Sequence, residues 1–124
     1  MNVALWIVAG LLAAMFLMAG MMKVAQPHEK LKVSQAWVED FSPGRVKGIG
    51  VLEILAAIGL VVPPLVDIAP ILAPIAASGL AVTMVGAAVT HTRRGGEGQQ
   101  VMTNLVLLAL LVFVAVGRFA IEPF

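Results

Sequence analysis

The sequence predicts an all-α membrane protein, a four-transmembrane-helix bundle with an amphipathic interfacial segment between helices one and two. Charge content is the first reason. Only 12% of residues are charged and 60% are hydrophobic, whereas a soluble domain carries about 25% charged residues. Mean hydropathy is +1.01. Four apolar runs of near-spanning length, separated by polar or Pro/Gly-rich connections, then set the number of helices. The runs and their connections leave no room for a separate soluble domain, so the chain reads as a single membrane domain, 1–124.

The first span is expected over about 3–22. No Lys or Arg precedes its apolar run, which reads as a retained helix rather than a signal peptide. Ala9, Ala13, Phe16, Gly20 and Lys23 recur at helical spacing. Its small members admit a close neighbour, and Lys23 ends that face. Residues 27–41 form the amphipathic segment. Pro27 suits a first helical turn, and Ser42-Pro43-Gly44 is a stop signal. On one helical face Val33, Trp37 and Phe41 would align, making Trp37 and Phe41 the interfacial anchors or the docking face for a partner.

The second span is expected over about 46–62, ending before Pro63-Pro64, with Pro70 opening the third. Pro74 is expected to kink that entry. The third span, about 71–91, is rich in Ala and Gly, which predicts a central, helix-packed position. The fourth, about 101–120, is bulky and branched and should face lipid.

Seven of the eight basic residues lie in or beside the first and third connections. The positive-inside rule makes those two connections cytoplasmic and puts both termini outside. This orientation gathers the unusual residues at one depth. Lys23 ends the first span, Glu53 lies about 10 Å into the second at 1.5 Å per residue, His91 ends the third and Asn104 lies one turn into the fourth. A carboxylate in hydrocarbon is expensive, about 2.5–3.5 kcal/mol on insertion scales. Glu53 shares a stripe with Gly50, Ala57 and Leu60, so it faces neighbouring helices. The expected arrangement is a Lys23–Glu53 ion pair, with His91 or Asn104 completing the carboxylate's hydrogen bonds.

Cysteine is absent, which excludes thiol catalysis, disulfides and cysteine-ligated metal. A net charge of +1 without a long basic run gives no case for nucleic acid. No nucleophile–base–acid arrangement or metal cluster appears, so no catalytic residue and no metal site is assigned, and the residues do not demand a stand-alone enzyme. A haem held by His28 and His91 would need the amphipathic segment folded over the third span and is disfavoured.

AGMMK at 19–23, GVLEILAAIGLVVP at 50–63, the small-residue helix closing on His91 with a basic loop, and a last span that starts at an Asn and ends in Gly117-Arg118 resemble the DoxX-like family. The resemblance covers nearly the whole chain, and Lys23, Glu53 and His91 match the polar positions of its pattern. It implies a four-helix protein of the bacterial cytoplasmic membrane. The family's name traces to relatives associated with a quinol oxidase and with thiosulfate:quinone oxidoreductase, and other members are membrane partners of redox-defence enzymes. The resemblance therefore implies an accessory membrane subunit of a redox system, with a membrane-associated oxidoreductase as partner and quinone as the cofactor to consider. The competing reading is a non-catalytic scaffold or chaperone-like partner whose polar cluster only holds the bundle. The small-residue faces could also serve a homo-oligomer. Passage of protons or small solutes ranks last, because the outer half offers only Asp67 and a few hydroxyls such as Ser78 and Thr83.

Overall fold

The computed structural model describes residues 1–124 as helices and short connections, with no strand. Helix α1 spans Asn2–Ala25, α2 His28–Ser34, α3 Pro43–Leu65, α4 Leu72–Arg94 and α5 Gly98–Val116. A short 3₁₀ segment, Ala36–Asp40, follows α2, and a π-turn, Gly117–Ile121, extends α5. The four long helices are apolar enough to cross a membrane, and 23 residues of helix reach about 35 Å at 1.5 Å per residue. Buried Ala9, Leu12, Phe16, Ala57, Leu60, Ala77, Leu80, Met84, Leu111 and Val114 form the common core.

The helices form a ring, α1 against α3, α3 against α4, α4 against α5, and α5 back against α1. Two glycines set the closest approach. A Cβ on Gly20 would stand 2.6 Å from the Gly50 carbonyl oxygen, and one on Gly50 would stand 2.8 Å from that of Gly20. Only hydrogen at both positions lets these backbones touch.

Several expectations are corrected. Helix α3 starts at Pro43, before residue 46, because Ser42 caps it by accepting from the Arg45 N–H at 3.2 Å and Pro43 needs no intrahelical donor in the first turn. It also runs through Pro63 and Pro64 to Leu65. The ladder resumes beyond them, with Val66 N–H donating to Val62 and Ile68 N–H to Pro63. Pro74 sits in the first turn of α4, where an N–H would have no intrahelical acceptor, so it needs no kink. Helix α4 is no more buried than α5. In a ring each helix has two neighbours, and Gly79 and Gly86 have open space beside them.

The interfacial segment is broken at Gln35, where the backbone is extended. This break undoes the single Val33–Trp37–Phe41 face. Val33 is exposed, while Leu31, Val38 and Val46 make a small second core with Trp37 and Phe41 packed on it.

Candidate functional site

All four long helices bring a polar side chain to the end of the bundle where α1 and α4 finish and α3 and α5 begin. Lys23 lies in the last turn of α1, and the Gly20–Gly50 contact holds that turn against α3. Lys23 Nζ stands 2.9 Å from Glu53 Oε1, with the two side chains only 9% and 4% exposed. The approach is a close charge contact without aligned hydrogen-bond geometry, and Oε1 has no hydrogen-bonded partner. Lys47 Nζ donates to the Val24 carbonyl at 3.0 Å, closing the end of α1 against α3.

Neither His91 nor Asn104 completes the Glu53 carboxylate, in contrast to the expectation from sequence. His91 is buried, but its Nδ1 is 2.8 Å from Glu97 Oε1. Asn104 is buried too, and its Nδ2 has no protein partner. The four residues therefore divide into a Lys23–Glu53 pair, a His91–Glu97 pair and a lone amide.

The residues that join this end together are ones the sequence did not single out. Gly95 and Gly96 take φ of 73° and 70°, the left-handed region that glycine occupies without strain. Their turn folds Glu97 back onto α4. There its Oε1 also accepts from Arg94 Nε at 3.1 Å. The same guanidinium donates to Glu39 at 3.1 Å and to Asp40, tying the 3₁₀ segment to the α4–α5 turn. The hydrogen bond to His91 and that to Arg94 hold the Glu97 carboxyl below its ordinary value of 4.5, against an opposing effect of burial. Only the run RRGGEG hints at this in sequence: a flexible pair of glycines between two cations and an acid.

Trp37 roofs the cluster. Its ring lies 5.8 Å below Lys23 Nζ, 6.5 Å from the His91 ring and 5.5 Å from the Phe41 ring, both ring pairs edge-on. The indole thus shields the ammonium by its electron-rich face, and Arg94 pins the segment that carries it. His28 is half-buried with Nδ1 unpartnered.

Two cavities border this end. One, of about 500 Å³, is an open depression lined by Glu39, Asp40, Phe41, Thr90, Arg93 and Arg94. The other, about 270 Å³, lies between α4 and α5, with His91 and Glu97 on one side and Val101, Met102 and Leu105 on the other. Met102 and Leu105 are exposed on the bundle surface, so this cavity opens toward lipid. Glu53 lines neither cavity.

No match is found among curated proteins or among solved structures. The model of the DoxX-like family, in contrast, matches residues 7–114, a stretch that takes in Lys23, Trp37, Glu53, His91, Glu97 and Asn104 and stops short of Arg118, and the chain belongs to that family.

Proposed function

We propose that this protein is an accessory membrane subunit of a quinone-linked redox system, and that the cavity beside His91 receives the quinone headgroup. The carrying observation is a buried imidazole, hydrogen-bonded to a carboxylate at 2.8 Å, on the wall of a cavity whose other wall is lipid-facing apolar side chains. About 270 Å³ is just below the usual range of about 300–1,000 Å³ for ligand sites. It suits a single ring entering from the bilayer with its tail left in lipid.

When bound, a quinone supplies acceptance of two electrons and two protons, the electrons coming from a partner oxidoreductase. The chain's own residues provide the proton side. Glu97 takes up a proton at the water-exposed turn at Gly95–Gly96, and His91 holds it between Glu97 and the cavity. Arg94 keeps Glu97 ionised and therefore able to accept. Trp37, held by the Arg94 contacts to Glu39 and Asp40, keeps bulk water from the imidazole. With seven of eight basic residues near these connections, the positive-inside rule puts this end on the cytoplasmic side of the bacterial cytoplasmic membrane.

The Lys23–Glu53 pair favours the scaffold reading for its own half of the cluster. It is enclosed, lines neither of the two cavities described above and crosses the α1–α3 seam. We assign it to holding register, which moves the proton role from Glu53 to His91 and Glu97.

The test uses Trp37 fluorescence in a Trp6→Phe background, titrated with a short-chain quinone in detergent. Saturable quenching that His91→Ala weakens about 10-fold, equivalent to about 1.4 kcal/mol, is expected. Linear quenching unaffected by His91→Ala would remove the quinone site. Mass spectrometry of the gently purified protein, reading co-eluting oxidoreductases and quinones, tests the subunit role separately.

A further inference from the structure

The opposite end of the bundle carries a second built site, outside the residues that match the family. Arg118 is 4% exposed, and 20 residues beyond Gly98 it lies about 30 Å along the helix, near the far boundary of a hydrocarbon core about 30 Å thick. Its placement is fixed by packing. The Glu122 N–H donates to the Gly117 carbonyl, widening the last turn to π geometry, and Gly117 is pressed against the fully buried Leu5 of α1, whose side chain a Cβ would overlap.

The guanidinium is only partly satisfied. Nη1 donates to Asn2 Oδ1 at 2.8 Å and to the Glu122 carbonyl at 2.9 Å. Nη2 is shut off from solvent and has no partner. No carboxylate stands within ion-pair distance, unlike Lys23 and Arg94 at the other end. The cation is instead caged by rings, with Phe124 centred 3.9 Å and Trp6 5.7 Å from its central carbon, the two rings meeting edge-on. Exposed Met1, Val3, Phe119 and Ile121 surround the position. A buried cation with a spare planar donor, at headgroup depth and rimmed by apolar side chains, lacks an anion.

We propose that Arg118 binds the phosphate of a phospholipid from the adjacent leaflet. Nη2 and Nη1 form the fork that planar recognition of a phosphate uses, Trp6 sits at the interface level, and the exposed apolar rim meets the acyl chains. Residues 122–124, folded over the guanidinium through the Glu122 carbonyl and the Phe124 ring, are the cover that the lipid phosphate displaces. A free phosphate offers the same oxygens without the acyl chains, and the experiment separates the two.

Delipidated protein in dodecyl maltoside is titrated with phosphatidylglycerol, with a phosphate-free diacyl glycolipid, and with inorganic phosphate, reading the unfolding midpoint and lipid retention by native mass spectrometry. Phosphatidylglycerol is expected to raise the midpoint and remain bound at one per chain, while the other two do neither. Arg118→Gln should weaken retention at least 10-fold and Arg118→Lys less, whereas Arg45→Gln, an exposed arginine at the other end, should change it under twofold. Phe124→Ala should leave retention equal or stronger, because the cover is gone. Equal stabilisation by the glycolipid or by inorganic phosphate, undiminished retention in Arg118→Gln, or lost retention in Phe124→Ala would overturn the assignment. The wild-type titration decides even where Arg118→Gln does not fold.

Discussion

Removing the two partners of the Lys23–Glu53 pair should have unequal consequences, and the inequality follows from where each sits. Lys23 is in the last turn of α1, two residues from the helix end, on a flexible four-carbon stem. If Glu53 is neutralised by Glu53→Gln, the ammonium can extend toward the interface. The cost is then that of one charge-assisted contact, about 1.5–3 kcal/mol. Glu53 has no such escape. It lies ten residues inside α3 with its side chain 4% exposed, and Lys23→Met leaves it among apolar neighbours. Breaking a buried pair from that side costs about 3–5 kcal/mol. The double variant Lys23→Met/Glu53→Leu removes both charges and should recover to within about 1 kcal/mol of the parent, since apolar replacement of a buried pair is often neutral or stabilising. Unfolding in mixed micelles of dodecyl maltoside and increasing sodium dodecyl sulfate, followed by far-UV circular dichroism, gives all three values. Equal losses in the two single variants, or additive losses in the double, would show that the 2.9 Å contact is not what stabilises the α1–α3 seam.

Two further predictions concern the same end of the bundle. Glu97 is held below its ordinary value of 4.5, so its contribution is complete above that pH and is lost as pH falls through the depressed folded value. Hydrogen-exchange protection at residues 95–98, taken relative to the intrinsic rate at each pH, should therefore fall under acid, and Glu97→Gln should flatten that dependence; protection that does not change with pH in the parent would count against this role of Glu97. Gly20→Ala places a Cβ 2.6 Å from the Gly50 carbonyl oxygen and should cost about 1–3 kcal/mol as overpacking. Gly10→Ala, with nothing within 4 Å, is the control in the same helix and should cost nothing measurable.

The fold was legible because lipid imposes it. Backbone groups in hydrocarbon must bond internally, so four long apolar runs leave a helical bundle as the available solution. That Lys23 and Glu53 approach each other could also be anticipated, since each stands on the small-residue face of its helix. What could not be read is direction around each helix end. Whether His91 turns to Glu53 or to Glu97 depends on the left-handed turn at Gly95–Gly96, and a six-residue separation across two glycines carries no periodic signal. The break at Gln35 was hidden for a related reason. Helical spacing put Val33, Trp37 and Phe41 together, but the second core of Leu31, Val38 and Val46 needs α3 to supply its third member. Arg118 was visible only as a charge near a helix end, and its lack of a carboxylate is a property of α1 and residues 122–124 as folded.

Asn104 presents the remaining puzzle of the cluster, and substitution can resolve it. Its Nδ2 is buried without a partner, and an unsatisfied buried donor costs about 1–3 kcal/mol. Leucine has the same branched four-atom skeleton and no donor. Asn104→Leu should therefore stabilise the bundle by about 1–3 kcal/mol in the same detergent assay. It should leave quinone quenching of Trp37 unchanged, because Val101, Met102 and Leu105 line the α4–α5 cavity and Asn104 does not. A loss of stability would mean that the amide is satisfied in the membrane, and that the cluster at this end extends across all four helices. A gain in stability with quenching intact would confine the working part of the site to α4, the Gly95–Glu97 turn and the Trp37 roof.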